Sequence, residues 1–222
     1  MRIVVLVDTG ETMAPAINHL RAGLVAFGEG IGAPHELALV GTGRQVRVRV
    51  PPSADHKKFL DAARGLFADG GSTILSDALM DMDDRFMKKA EDRWPIFVII
   101  TADGAEASAP ADEKKFNDWL RALPGRGIGA HAMVLKYKGG GVPEIIANHV
   151  TNTASGHYEF MNTSNSLPEK MTALAQLLTK QYELVSAKWE VTFTSDAPAG
   201  APVIVGLSRP GVKFETTQTR LR

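Results

Sequence analysis

Short runs of uninterrupted apolar residues recur along this chain, and segments with helical periodicity separate them. Residues 3–7 and 95–101 are the clearest runs, and residues 128–135 form a third. A strand that is apolar on both faces is typical of a parallel sheet covered by helices on both sides. The alternation therefore predicts an α/β fold, a Rossmann-like three-layer sandwich with a mostly parallel central sheet.

One pair of strands departs from that pattern. Residues 36–40 and 46–50 are joined by a Gly-Thr-Gly-Arg linker, which has the length and composition of a hairpin loop. Pro51-Pro52 is expected to close the pair. The hairpin predicts one antiparallel edge strand in the otherwise parallel sheet.

The remaining segments complete the predicted order of elements. Helices are expected over residues 13–30, 55–68, 73–90, 114–123, 143–149 and 167–184, with a last strand at 157–161. After residue 184 the pattern changes to alternating apolar and polar residues, which is typical of half-exposed strands. We therefore expect an α/β domain over residues 1–184 and a small C-terminal antiparallel β appendage over residues 185–222.

Composition excludes several classes of function. The 222 residues contain 25 lysines and arginines and 25 acidic residues, so there is no basic footprint for nucleic acid. No segment approaches the ~18 apolar residues of a membrane span. The sequence contains no cysteine, which removes disulfides, thiolate metal sites and thiol nucleophiles.

Oxygen-bearing side chains follow the predicted strands where an open α/β sheet binds ligands, beyond the carboxyl ends. Asp8 ends the first strand and Thr12 follows it, Asp103 follows the fourth strand, and Thr73 lies in the loop before the third helix. If the first and fourth strands are neighbours, the two carboxylates emerge side by side. Two carboxylates and two hydroxyls suit a hard divalent cation, which prefers oxygen ligands.

These segments together resemble the von Willebrand factor type A family over residues 2–184. The metal-ion-dependent adhesion site of that family has an Asp-x-Ser-x-Ser motif, a threonine in a glycine-rich turn and an aspartate in a Thr-Asp-Gly-like turn. The corresponding segments here are DTGET at 8–12, GGST at 70–73 and TADG at 101–104. The resemblance implies a metal site at Asp8, Gly10, Thr12, Thr73 and Asp103.

This sequence departs from the family motif at two positions. Gly10 replaces the first motif serine and offers no hydroxyl, and Glu11 replaces a residue that is usually small. Fewer fixed ligands weaken binding, and outer-shell changes alone cost roughly 10–100-fold in metal affinity. We therefore expect a weakened site for Mg²⁺, or for Mn²⁺ or Ca²⁺, or a site that has lost its metal.

The resemblance implies a protein-binding or adhesion module without enzymatic activity. A partner Asp or Glu would complete the coordination shell of the cation. Related bacterial proteins with short β additions are often exported, which implies a periplasmic or extracellular location. Two alternatives remain open: a metal-independent structural or assembly scaffold of the same fold, and a magnesium-dependent phosphoryl-transfer hydrolase with Asp8 as its nucleophile.

Three of the site residues also have a purely structural interpretation. Thr73 is in a position to cap the third helix, because threonine is favoured at a helix N-cap. Asp103 before Gly104 fits ordinary turn chemistry. Asp8 needs a partner because it ends an apolar strand, and a hydrogen bond would satisfy it without a cation. His131, within an apolar strand, is expected to be a hydrogen-bonded core or near-edge residue rather than a metal ligand.

Overall fold

Six strands form the central sheet of the computed structural model, which describes residues 1–90, 92–108, 113–137, 141–186, 196–198 and 201. The strands are β1 (Arg2–Val7), β2 (Glu36–Gly41), β3 (Arg47–Ser53), β4 (Pro95–Ala102), β5 (Gly129–Leu135) and β6 (Tyr158–Met161). Their order across the sheet is β3-β2-β1-β4-β5-β6. Every pair is parallel except β2 with β3. The predicted α/β fold with one antiparallel edge strand is confirmed.

Six α-helices accompany the sheet in the described residues: α1 (Ile17–Gly30), α2 (His56–Arg64), α3 (Leu75–Met82), α4 (Glu113–Ala122), α5 (Val142–Thr153) and α6 (Leu167–Ser186). Alternate residues of β1 enter two separate cores. Val5 packs with residues of α1, α2 and α6 on one face, whereas Leu6 packs with residues of α3 and α5 on the other. The uninterrupted apolar runs follow directly, because each strand is buried on both faces.

The pairing of β1 with β4 positions the candidate site. The register runs from Arg2 opposite Pro95 to Val7 opposite Ile100. Both strands therefore end at the same edge of the sheet, and the residues that follow them emerge together. The adjacency of the first and fourth strands, on which the predicted site depends, is confirmed.

The first and third predicted helices begin later than expected. Residues Glu11–Ala16 form a 3₁₀ helix that contains Pro15, and regular α-helix begins only at Ile17. Proline has no N–H to donate, which favours a separate first segment. The helix predicted over residues 73–90 begins at Leu75, and it continues after Met82 as a π-helical segment over Asp83–Met87.

The expectation that Pro51-Pro52 closes the hairpin was wrong. Strand β3 continues through both prolines and ends at Ser53, with Leu37 paired to Ser53. Proline is tolerated here because β3 is an edge strand, where an N–H is not needed for a further partner. The pairing register of β2 with β3 is irregular between Leu37 and Val40, near the same end of the two strands.

Two further findings bear on the chain's organisation. The predicted β appendage and its boundary concern residues 185–222, of which the structure describes only 185–186, 196–198 and 201, so both stay predictions. Among the described residues, no helix combines the length and apolar character needed to cross a membrane.

Candidate metal centre

Asp8 is buried at the end of β1 and accepts hydrogen bonds from three groups. Its Oδ1 accepts from the Gly10 N–H at 2.7 Å, and its Oδ2 accepts from the Thr101 hydroxyl at 3.4 Å. The Ala102 N–H is the third donor. Burial raises the pKa of Asp8, although these hydrogen bonds act in the opposite direction. The carboxylate is thus oriented by β4 and by its own turn, while its negative charge remains costly.

Asp103 emerges next to Asp8 at the end of β4. Its backbone N–H donates to the Leu135 carbonyl at 3.0 Å, and its Oδ1 accepts from the Tyr137 N–H at 2.9 Å. Burial, then the charges of Asp103 and of Asp8, raise the pKa of the Tyr137 phenol. Asp8 and Asp103 thus follow neighbouring strands at the same edge of the sheet.

Gly10 and Thr12 connect the first turn to the neighbouring loops. A Cβ at Gly10 would lie 2.7 Å from the Gly71 carbonyl oxygen and 2.9 Å from Asp8 Oδ1. The glycine-rich turn therefore occupies the space that a serine side chain would need. Thr12 packs its side chain directly against Gly104, where a Cβ would collide with the Thr12 hydroxyl. Thr12 consequently lies beside the loop that carries Asp103.

Thr73 makes different contacts from those expected of a helix cap. Helix α3 begins at Leu75 with Ile74 as its N-cap, and the Ile74 side chain makes no hydrogen bond to the helix. The Thr73 hydroxyl lies 2.7 Å from the Thr42 hydroxyl, which itself donates to the Val7 carbonyl at 3.3 Å. When Thr42 donates to Val7, Thr73 donates to Thr42, and the Thr73 lone pairs are available to a cation. The capping interpretation of Thr73 was wrong.

The cap of α3 comes instead from two residues that the sequence patterns did not identify. The Glu106 carboxylate accepts from the Leu75 N–H at 2.9 Å, and the Ser108 hydroxyl accepts from the Asp77 N–H at 3.2 Å. Ser108 also donates to Glu106. Burial raises the pKa of Glu106. The Glu-x-Ser spacing shortly after Asp103 was the available signal, but the helix it caps is distant in sequence.

A second network supports the first turn from the hairpin side. The Thr9 hydroxyl donates to Asp69 Oδ2 at 2.7 Å and accepts from the Gly43 N–H at 3.0 Å. Asp69 also pairs with Arg49 at 2.6 Å and with Arg47 at 3.3 Å. Thr9, the second residue of the motif, therefore has a structural role: it fixes the turn that presents Asp8 and Gly10.

The donor set at this edge fits a hard divalent cation only in part. Asp8, Asp103 and Thr12 lie in adjoining loops and offer oxygen, which Mg²⁺ and Mn²⁺ prefer. Gly10 supplies no side-chain ligand. Within the described ranges, no group of three or more histidine, cysteine or acidic side chains could hold a metal ion. A cation here would consequently depend on hydroxyl groups and water as well as the two carboxylates.

Histidines do not form an alternative centre. His131 is only 3% exposed, and its Nδ1 accepts from the His157 N–H at 3.1 Å. Burial, then the charge of His157, lowers the pKa of His131 to about 4. His131 was predicted to be a hydrogen-bonded core or near-edge residue, and the structure places it in the core with this hydrogen bond.

Comparison with solved structures identifies the fold. A von Willebrand factor type A protein from Catenulispora acidiphila superposes with a TM-score of 0.65 at 14% identity, over 78% of this chain and 41% of that one. The manganese-loaded TRAP protein of Plasmodium vivax superposes with a TM-score of 0.56 at 14% identity, over 78% of this chain and 73% of that one. This chain thus spans less than half of the Catenulispora protein.

A third solved structure of this fold is the pilus adhesin SpaC from Lactobacillus rhamnosus GG. It superposes with a TM-score of 0.60 at 13% identity, over 82% of this chain and 30% of that one. No model of a known protein family matches this sequence, and no curated protein matches it. The similarity therefore lies in the backbone fold rather than in the sequence.

Proposed function

We propose that this chain, a von Willebrand factor type A domain by its fold, binds another protein through a divalent cation held at the β1–β4 edge of its sheet. Asp8, Asp103 and Thr12 would hold the cation, with Thr73 as a further hydroxyl ligand. The cation would supply an open coordination position for a carboxylate of the partner. Gly10 would contribute only by letting the glycine-rich turn approach closely.

The buried carboxylate of Asp8 is the observation that carries this proposal. Asp8 is 2% exposed and ends a strand that is apolar on both faces. In the described part of the chain, no lysine or arginine forms an ion pair with it. A buried negative charge without a cationic partner is costly. A divalent cation would offset this cost.

Calorimetric titration with Mn²⁺ and with Mg²⁺ tests the proposal. We expect binding heat with the unmodified chain, none with Asp8→Asn, and none with Asp103→Asn. Asn preserves the shape of each side chain and an oxygen acceptor while removing the charge. Asp118→Asn, on the exposed surface of α4, is the matched control and should bind metal normally. Absence of heat with the unmodified, folded chain would remove the metal from the proposal.

A second candidate function is a metal-independent interaction scaffold, and one observation favours it. Three donors already satisfy Asp8 without a cation. Burial raises the pKa of the carboxyl, which reduces the cost of keeping it as a neutral acid. On this model the domain binds its partner equally well in Mg²⁺ and in EDTA. Metal titration separates the two candidates, because only the first predicts heat that Asp8→Asn abolishes.

We further propose that the domain performs no turnover. Phosphoryl transfer from a strand-end aspartate needs a basic residue for the phosphate as well as a metal. The sequence places none in the three loops of the motif, but the hairpin brings Arg44 against Gly71, so a test is needed. A panel of phosphate esters with Mg²⁺ should give no hydrolysis above background. Hydrolysis that Asp8→Asn abolishes would assign the chain to the phosphotransferases instead.

An exported location is also part of the proposal, and it rests on the family resemblance. Fractionation of cells that produce the natural protein tests it. We expect the protein outside the cytoplasm, in the periplasmic or extracellular fraction.

A further inference from the structure

Two chemically different surfaces flank the candidate metal centre along the sheet edge. The centre lies between β1 and β4, the middle strands of the order β3-β2-β1-β4-β5-β6. Toward β3 the edge carries exposed arginines, and toward β6 it carries exposed hydrophobic side chains. A partner that reaches across the centre would meet the two surfaces at its opposite ends.

The arginine flank consists of Arg44 and Arg47 at the β2–β3 hairpin. Arg44 is exposed, its N–H donates to the Ser72 carbonyl at 2.8 Å, and it packs against Gly71. Arg47 has a 41% exposed side chain and shares Asp69 with the more buried Arg49. The exposed Glu11 lies on the same side and accepts from the Gly71 N–H. One positive charge remains in excess on this flank.

The apolar flank consists of Tyr137, Val142, Ile145 and Phe160. Their exposed fractions are 45%, 52%, 47% and 56%, although all four are large hydrophobic residues. Among the described residues of this flank, Lys136 Nζ lies 3.0 Å from a Glu144 carboxylate oxygen. The same ammonium lies 5.1 Å from the centre of the Phe160 ring.

The apolar flank is continuous with the candidate centre. The Tyr137 N–H donates directly to Asp103 Oδ1 at 2.9 Å. Gly141, immediately before Val142, packs against the backbone of Asp103, where a Cβ would lie 2.5 Å from the carbonyl carbon. A ligand that reaches the carboxylates therefore has Tyr137 and Val142 beside it on this flank. On the β3 side the exposed Phe67 is covered by the Arg49 guanidinium, which lies 4.3 Å from the centre of its ring.

We propose that the partner is an extended protein segment that is acidic at one end and apolar at the other, with a central Asp or Glu at the cation. This inference rests on the proposed function, because the cation fixes the central carboxylate. Further acidic side chains lie over the arginine flank, where the guanidinium fork matches a carboxylate. A large apolar side chain lies over the apolar flank and removes exposed hydrophobic surface from water. A segment bound in the reverse direction would place its acidic side chains on the apolar flank. Binding in that direction is therefore disfavoured.

Selection from a phage-displayed library of random peptides, performed on the full chain in Mg²⁺, tests this inference. We expect enriched sequences in which an acidic run adjoins an aromatic or aliphatic residue. Binding of one such synthetic peptide should weaken about tenfold in Phe160→Ser and severalfold in Arg44→Gln, as expected for contact residues. The matched controls Leu184→Ser and Arg121→Gln alter an exposed apolar residue and an exposed arginine elsewhere, and they should bind the peptide normally.

The outcomes separate this inference from the proposed function. If Mn²⁺ binding is detected but the library yields no enriched sequence, the two-ended segment alone is overturned. The same conclusion follows if Mn²⁺ binds and the substitutions of Phe160 and Arg44 leave peptide affinity unchanged. If calorimetry detects no binding of Mn²⁺ to the unmodified chain, the metal-dependent function itself is overturned. Concentration-dependent dimers that Phe160→Ser abolishes would assign the apolar flank to a second copy of the chain and would also overturn the inference.

Discussion

The hydroxyl oxygens of Thr42 and Thr73 lie 2.7 Å apart, at the point where the β2–β3 hairpin meets the glycine-rich turn. The pair decides whether Thr73 acts as a metal ligand or only as a structural hydrogen-bonding group. Thr42 continues the chain of hydrogen bonds to the carbonyl of Val7, one residue before Asp8. The orientation of the Thr73 hydroxyl is therefore linked to the strand that carries the central carboxylate.

Thr73→Val should abolish measurable Mn²⁺ binding if Thr73 is a ligand. Thr42→Val should weaken binding by roughly tenfold, the lower end of outer-shell effects. Each variant loses a hydrogen bond worth about 1 kcal/mol of unfolding free energy. Calorimetry and urea unfolding measure the two quantities separately, and Thr73→Ser should restore both. Equal metal affinity in all three variants would remove Thr73 from the ligand set.

Gly10→Ser introduces the hydroxyl that the family motif has at this position, yet we expect it to destabilise the fold. A Cβ at residue 10 would lie 2.7 Å from the Gly71 carbonyl oxygen, so the turn must move. Such overpacking costs roughly 1–3 kcal/mol. At Gly125 an added Cβ meets nothing within 4 Å, and Gly125→Ser is the control. Thermal melts with and without Mn²⁺ would show whether the new hydroxyl offsets the strain by binding metal.

Arg126→Ala should be among the most destabilising substitutions of a charged residue. The buried Asp83 accepts from two guanidinium nitrogens of Arg126, at 2.5 and 2.7 Å, and from the Trp119 indole at 2.8 Å. Removal of the arginine leaves a buried carboxylate without its charge partner, which costs about 3–5 kcal/mol. Urea unfolding measures the loss.

Arg121→Ala provides the comparison, because its contact with Asp118 is exposed and should contribute less than about 1 kcal/mol. Mn²⁺ affinity should be unchanged in both arginine variants. Similar stability losses in the two would contradict the importance assigned to burial of Asp83.

The stability of the domain should fall between pH 7 and pH 5 because of His131. The pKa of His131 is lowered to about 4 in the folded state, whereas an unfolded histidine titrates near 6.5. The unfolded state therefore binds the proton first, and stability decreases as the pH falls from about 6.5 toward 4. The loss attributable to His131 between pH 7 and pH 5 is about 2 kcal/mol.

His131→Asn isolates this contribution. The asparagine oxygen can replace Nδ1 as the acceptor for the His157 N–H, but it does not titrate. Urea midpoints measured at pH 7 and at pH 5 should differ less in the variant than in the unmodified chain. An unchanged difference would mean that other groups cause the acid sensitivity.

The fold could be predicted from the sequence because both faces of its strands are buried. The apolar runs of β1, β4 and β5 have few other stable arrangements, and the Asp8 and Asp103 positions follow from where those runs end. The contacts that define the donor set could not be predicted from the sequence in the same way. The hydrogen bond between Thr42 and Thr73 and the cap provided by Glu106 both join loops 31 residues apart.

The predicted ends of several helices and strands were wrong because of contacts that sequence patterns do not show. Strand β3 tolerates Pro51 and Pro52 because no described strand pairs with its outer side, and propensity alone does not show that a strand lies at an edge. The π-helical segment after Met82 places Asp83 against Arg126, a tertiary contact that helical periodicity cannot anticipate.

The prolines of β3 also have a consequence for growth of the sheet. The carbonyl groups of a strand added at this edge would need backbone N–H donors, and Pro51 and Pro52 have none. Together with the irregular register of the β2–β3 pair, they hinder templated addition at one side of the sheet. Fibril-like stacking of copies through the outer side of β3 is thereby discouraged.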